Sequence, residues 1–416
     1  GVVLPKALVQ KMIPQMQSMV VNDPVKSIFY SPLKNFPKEI TDEEKKILIR
    51  GYRLVIMNDI VPSYRKLRDF LKNEYLPKAR LSSGYSDLPG GKEMYDYYVQ
   101  YWTTTNKTPE EIYQTGLAEV KRISSIMDSI KNAVGFKGDM KAFFEYMKTD
   151  KKFMPFKTPE EVLNAYRSIL QRIEPNIKKM YGHVPKTPFE IRQTEAFRAA
   201  SASAEYIQGS PDGTRPGIFY VPIVNAKKFN ITSGMESTFL HEAIPGHHFA
   251  ISIQQENKDL PAFRRFGGNG AFDEGYALYC ESLGKELGVY TDPYQYMGAL
   301  GDQMLRAVRL VVDVAIHTKG MTREQAIQYM LDHEPISKEF ATEEIERYMA
   351  IPGQALSYMV GALKIRELRN KYEKELGAKF KLADFHDELL KDGSMPLSVL
   401  ENKMNAWAEK MKIGNN

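Results

Sequence analysis

Apolar positions recur at three- and four-residue spacing through most of the chain, the period of helices that bury one face. "TPEEIYQTGLAEVKRISSIMDSIKNAVG" (108–135) sets Thr108 as N-cap ahead of Pro109 and two glutamates, and "TPEEVLNAYRSILQRI" (158–173) repeats that start. The residues after the two starts do not align, so the repetition is shared start chemistry and not an internal repeat. Further helices are expected over 41–75, 92–101, 138–149, 189–206, 284–319, 322–332, 342–350 and 353–376. One stretch breaks the pattern. "RPGIFYVPIVNAKKFN" (215–230) sets β-branched and aromatic residues between turn signals, and Pro222 inside it argues for an edge strand. An edge strand offers free backbone donors and acceptors to an extended chain, although an isolated strand packed on helices fits the same residues. The expectation is a mainly α fold, with a helical region over 1–185 and a second region over 186–416 forming one continuous body.

Composition narrows the chemistry. The 57 basic and 52 acidic residues give a net charge of +5 and are spread along the chain, so no basic stripe exists to track phosphates and nucleic acid is not an expected partner. No apolar run reaches the roughly 18 residues of a membrane span. The single cysteine, Cys280, excludes an internal disulfide and any cysteine-based metal site. Any metal must then sit on His, Asp or Glu, and three of the seven histidines fall within "HEAIPGHH" (241–248). The chain opens at Gly1 without an initiator methionine or a signal-like segment, which suggests a processed chain; an extracytoplasmic compartment, periplasmic or secreted, is the expectation. Oligomeric state is not readable.

The histidine cluster starts like a zinc-binding helix. "SGME" (233–236) reads as a capping box, so a helix should start near Gly234 and carry His241 and Glu242. The common signature H-E-x-x-H places two histidines four apart on one helical face, with the glutamate as general base. Here Pro245 stands where the second histidine would be. It removes an N–H and clashes with the carbonyl of His241, while Gly246 permits a backbone turn, so the helix must bend. In a straight helix His247 would point away from His241, and His248 would share its face about 10 Å along the axis. Neither suits nitrogens that must each come within about 2.1 Å of one zinc. Looping out Pro245 and Gly246 restores the H-E-x-x-H order with His247, the favoured second ligand. His248 is the alternative, because an insertion of three residues is nearly one helical turn; the histidine not used would support the site or meet substrate. Packed histidines at a helix end are the plainer reading of the same residues.

A third ligand should come from a separate helix. In "GGNGAFDEGYALYCESLGKEL" (267–287) Phe272, Tyr276, Tyr279 and Leu283 form one apolar stripe, and Glu274 lies off it with Glu281 on its own face. Beside a histidine pair this fits a two-histidine, one-glutamate zinc site in which Glu274 ligates and Glu281 or Asp273 orients or solvates. An amphipathic helix with exposed acids is the commoner explanation of such a segment alone.

Three ordered motifs, "HEAIPGHH" (241–248), "EGYALYCE" (274–281) and "RYMAIPGQALSYMVG" (347–361), with "RLVVDVAIHTKGMT" (309–322), resemble the domain-of-unknown-function (DUF) 885 family from about residue 185 to the C-terminus. Its members carry HExxPGHH, EGWALYxE and RYxxxPGQALSYxxG, and Tyr276 replaces the usual Trp. The family is similar to helical gluzincin metallopeptidases such as thimet oligopeptidase, carboxypeptidase Taq and angiotensin-converting enzyme. The resemblance implies a zincin-like helical body with a deep channel, zinc on its floor and a small β-sheet beside the zinc helix, and further sequence upstream. It implies His241 and His247 or His248 as ligands, Glu242 as base and Glu274 as third ligand. Related helical peptidases set a tyrosine hydroxyl against the oxyanion, a role implied for Tyr358, with Tyr348 as alternate.

The expected function is zinc-dependent hydrolysis of peptide bonds, by a carboxypeptidase or an oligopeptidase. Tyr220 and Asn225 on the 217–225 strand, with Gln354 and Arg347 from the last motif, are expected to contact the peptide. Pro352 should start a helix on which Gln354 and Tyr358 share a face. Two rivals remain: a metal-dependent amidase or esterase acting on a small non-peptide substrate, and a non-catalytic peptide-binding module. Arg306, Arg309, Arg347 and Lys364 could each hold a substrate carboxylate, and the residues do not rank them.

Overall fold

The computed structural model describes residues 2–200 and 202–413, so Gly1, Ser201 within the expected 189–206 helix, and residues 414–416 lie outside it. The described chain is mainly helical with one three-stranded sheet. The first half carries α1 (Lys6–Ser18), α2 (Asp42–Val55), α3 (Val61–Phe70), α4 (Gly91–Thr103), α5 (Pro109–Ala133), α6 (Met140–Thr149) and α7 (Pro159–Met180). Two π-helical stretches, Ile56–Ile60 and Leu71–Tyr75, continue α2 and α3, so the expected 41–75 helix is one run. Thr108 and Glu111 exchange side-chain-to-backbone bonds at the start of α5, and the Thr158 hydroxyl accepts from the Glu161 N–H at the start of α7. Past 173, α7 continues through Pro175 because Ile177 and Met180 prolong its buried face.

The sheet comprises β1 (Phe189–Gln193), β2 (Glu205–Ile207) and β3 (Gly217–Val221) in the order β1-β3-β2, with β3 parallel to β1 and antiparallel to β2. Two expectations fail here. The 189–206 segment is not a helix: Phe189 and Ile191 alternate with Glu190 and Arg192, and pairing with β3 turns the two apolar residues onto the core. That tertiary pairing outweighs the helix-forming Glu, Arg and Ala residues which suggested otherwise. Nor is β3 an edge; it is central, with Ile218, Phe219 and Val221 buried, and Pro222 follows the last paired residue, where a missing N–H interrupts no ladder.

The second half carries α8 (Met235–Glu242), α9 (His247–Glu256), α10 (Ala262–Arg265), α11 (Gly270–Glu281), α12 (Gly284–Leu287), α13 (Pro293–Thr318), α14 (Arg323–His333), α15 (Lys338–Ala350), α16 (Ser357–Leu376), α17 (Leu382–Leu390) and α18 (Leu397–Ile413). The expected 284–319 helix divides at Gly288, and Asp292 caps α13. α13 is the spine, buried at every residue from Ala307 to His317; it packs against α5 of the first half and against α8, α14, α15 and α16. α8 starts at Met235 without the expected capping box. Gly234 caps it in the left-handed region, the Ser233 hydroxyl donates to the Asn230 carbonyl, and Glu236 is buried, 2.6 Å from Arg172 and accepting the Tyr290 N–H. Likewise α16 begins at Ser357, not Pro352, because Gly353 turns the backbone first and Gln354–Leu356 form a 3-10 turn. Among the described residues no helix is long and apolar enough to cross a membrane.

Candidate metal centre

α8 ends at Glu242, and the chain makes a four-residue excursion through a cis Ile244–Pro245 bond before α9 opens on His247. Gly246 makes the excursion sterically possible, since a Cβ there would lie 1.9 Å from the His241 carbonyl oxygen and 2.4 Å from that of Leu240. The chain thereby folds back on the end of α8, and the His241 and His247 rings meet edge to face with centroids 4.8 Å apart. Candidate ligand atoms of His241, Glu242 and His247 all lie within 4.8 Å of one another.

Glu274 reaches the pair from α11. Its Oε2 lies 3.4 Å from His241 Nε2 and 3.7 Å from His247 Nε2. Four ligands at about 2.1 Å in a tetrahedron are about 3.4 Å from each other, so these two separations suit a carboxylate oxygen and each imidazole sharing one ion. They exceed the roughly 2.7–3.2 Å of a direct N–H···O bond. α11 packs on α8 and α9 on one side and crosses α16 backbone to backbone on another. A Cβ on Gly361 would lie 1.9 Å from the Ala271 carbonyl oxygen, and one on Gly275 would lie 2.5 Å from the Cα of Gly361.

Behind His241 stands the buried Glu281, whose Oε1 is 2.8 Å from His241 Nδ1. With Nδ1 donating to that carboxylate, Nε2 faces Glu274 and His247. Burial alone would depress the His241 imidazole, but the carboxylates on either side outweigh it and push it up to about 10, so without an ion Nε2 also holds a proton, which a bound metal would displace. Glu274, which burial would raise, is held down to about 2 by His241 and His247. His247 is pushed down to about 4 by burial and by the neighbouring His241 charge. Burial raises Glu242 to about 7 against the pull of His241, with Glu274 adding to the rise. Two half-buried to buried histidines and an ionised carboxylate, converging on one point, form a donor set suited to zinc.

A cavity of about 680 Å³ opens on this cluster. Glu242 lines it, with Oε2 fixed by the Tyr206 N–H of β2 at 3.0 Å. Tyr358 and Arg347 also line it. His248 does not: its Nδ1 is 3.0 Å from the Tyr206 hydroxyl and its ring packs on Phe189, so it braces the residue that holds Glu242. Asp273 lines the cavity but accepts the Asn269 N–H at 2.9 Å, leaving the orientation of His241 to Glu281.

Other expected positions fall elsewhere. Tyr348 is outside the cavity lining, 1 % exposed, with its hydroxyl bonded to Glu344 and 3.0 Å from Arg309 Nε, so it has no hydroxyl free for an oxyanion. Tyr220, on the central strand, packs under the Arg198 guanidinium, and Asn225 caps the Ala226–Lys228 turn; neither lines the cavity, because β2 and not β3 borders it. Gln354 also lies off the lining, its Oε1 accepting from Arg347 Nη2 at 2.8 Å. Sequence reasoning missed Tyr206, whose strand of three residues is too short to show a period.

Comparison with known proteins agrees with the fold. The family described as bacterial protein of unknown function (DUF885) matches residues 1–404. No curated protein matches. A solved structure from Colwellia psychrerythraea, described as a candidate lipoprotein, is 31% identical with a TM-score of 0.90, over 98% of this chain and 71% of that one. A candidate lipoprotein of unknown function from Shewanella oneidensis, 21% identical, shares the fold with a TM-score of 0.74 over 96% of this chain and 73% of its own.

Proposed function

This chain belongs to the DUF885 family of bacterial proteins, and we propose that its cavity is the active site of a zinc-dependent peptidase. The observation that carries the reading is the spacing of Glu274 Oε2 from the two imidazoles, 3.4 and 3.7 Å, with Glu281 fixing the tautomer of His241 from behind. His241, His247 and Glu274 would hold the ion, which when bound supplies Lewis acidity to a water and to a substrate carbonyl. Glu242, with one oxygen fixed by the Tyr206 N–H, keeps its other oxygen to take the proton from the attacking water and pass it to the leaving amine. The Tyr358 hydroxyl donates to the developing oxyanion, where one good donor contributes about 3–4 kcal/mol. Ser203, Glu205 and Gln208 border the cavity in and around the edge strand β2, which offers an extended peptide a backbone to run beside. The Colwellia and Shewanella relatives are described as candidate lipoproteins, and we place this chain in the cell envelope too.

Metal content of protein purified without a metal-affinity tag, read beside digestion of a peptide library, tests the reading. One zinc per chain is expected. Glu242→Gln should keep the zinc and lower turnover by about 10²- to 10⁴-fold. Absence of metal after zinc is added back, or full activity in Glu242→Gln, would defeat the assignment.

A further inference from the structure

The wall of the cavity beside Tyr358 gathers several arginines, and they are not equally paired. Arg306, Arg309 and Arg347 all line the cavity, and Glu344 is the carboxylate that lines it among them. Glu334 stands close behind, but burial raises its carboxyl to about 8 and keeps it neutral at physiological pH.

The three arginines are not equivalent. Arg309 is buried and spent: Nε and Nη2 both donate to Glu344 Oε2, at 3.2 and 2.8 Å, and its guanidinium lies over the Tyr358 ring. Arg306 stands 3.6 Å from both Glu281 and Asp302, against the back of the metal cluster. Arg347 is the most open of the three, its side chain 34% exposed. It touches Glu344 only at 3.3 Å, through the oxygen Arg309 leaves, and its best bond is to the neutral Gln354 Oε1 at 2.8 Å. A neutral acceptor fixes a guanidinium in place without cancelling its charge. Gln354 is itself on a held element, because Asp313 accepts the N–H of the preceding Gly353 at 3.0 Å and the Tyr95 hydroxyl at 2.6 Å. Tyr358 follows four residues later, so Arg347 is tied to the turn that leads into the oxyanion donor. Lys364, by contrast, pairs with Glu367 and Glu401 and does not line this cavity.

We propose that Arg347, oriented by Gln354, is the anchor for a carboxylate of the bound substrate, and that this carboxylate is the free C-terminus of a peptide. The inference rests on the peptidase reading and gives it a direction: cleavage close to the C-terminal end.

Equilibrium binding tests it without turnover. Glu242→Gln protein is titrated with a short fluorescent peptide bearing a free C-terminus, with its C-terminal amide, and with an amidated version carrying aspartate at the last position. The free acid should bind about 10- to 100-fold more tightly than the plain amide. Adding Arg347→Gln should abolish that difference while leaving amide affinity, zinc content and melting temperature unchanged; Arg347→Lys should restore part of it. Equally tight binding of the aspartyl amide would keep the carboxylate anchor and reassign its source to an acidic side chain. Equal affinity for all three peptides, or a preference lost in Arg265→Gln, at the fourth arginine that lines the cavity, instead of in Arg347→Gln, would overturn the proposal. Zinc content and cleavage of the free-acid peptide by the unsubstituted protein report separately on the peptidase reading.

Discussion

His241 Nδ1 lies 2.8 Å from Glu281 Oε1, while the opposite nitrogen of the same ring faces Glu274 Oε2 at 3.4 Å. The ring is thus gripped from behind by a buried acid that takes no other part in the cluster. Glu281→Gln can bond to Nδ1 through its amide oxygen but lacks the charge that raises ligand basicity. Zinc affinity should fall by about 10- to 100-fold, with little loss of thermal stability in the metal-free protein. A chelator competition titration checks it, and unchanged affinity would remove Glu281 from the site.

The two adjacent histidines separate cleanly. His247 presents Nε2 3.7 Å from Glu274, whereas His248 turns to the Tyr206 hydroxyl. His247→Ala should abolish stoichiometric zinc. His248→Ala should retain it but lower turnover, because Tyr206 loses the bond that steadies the strand holding Glu242. Mass-spectrometric metal analysis of the two variants decides; the reverse pattern would make His248 the ligand.

Much of this was legible in the residues. Pro245 followed by Gly246 disfavours a straight helix after His241, and looping the two out brings His247 back toward His241, although the residues alone left His248 as the alternative. Glu274 and Glu281 are seven apart, so one helix face had to carry both. The sheet was not legible in the same way. "FEIRQ" and "EYI" are short, and only pairing with β3 decides that they are strands; once Phe189 and Ile191 pack on the core, helix propensity no longer matters. The edge that borders the cavity therefore passed from β3 to β2, and with it the expected contacts at Tyr220 and Asn225. Tyr348 and Tyr358 could not be ranked from spacing, since what separates them is whether Glu344 and Arg309 already occupy the hydroxyl.

The crossing of α11 and α16 brings Glu274 and Tyr358 to one cavity, and it depends on two glycines in contact. Gly361→Ala sets a methyl 1.9 Å from the Ala271 carbonyl oxygen, which backbone cannot yield without separating the helices. Stability should fall by about 1–3 kcal/mol or more. Zinc should weaken too, because Glu274 rides on the displaced helix. Urea unfolding with parallel metal analysis tests both, and a variant of normal stability with normal zinc would show that the crossing tolerates a side chain.

Glu334 offers a test through pH. It is 4 % exposed, its Oε1 has no hydrogen-bond partner, and burial raises its carboxyl to about 8 against the opposing pull of Arg309. In the unfolded chain the same group titrates near its ordinary value of 4.5. Between those two values the folded protein holds a proton that the unfolded chain has released, so stability declines as pH rises through this window and levels off above about 8. Glutamine is the neutral isostere and removes the titration. Glu334→Gln should match the unsubstituted protein near pH 4.5 and gain on it steadily to pH 8, by up to a few kcal/mol, then run parallel. Other titrating groups are common to both proteins, so the difference follows Glu334 together with the carboxylates coupled to it, Glu344 and Asp302. Urea unfolding of the two proteins at pH 5, 7 and 9 measures it. A difference that does not change with pH would mean that Glu334 is ionised in the folded state, and the arginines would then have a further counter-charge beside Glu344, Glu281 and Asp302.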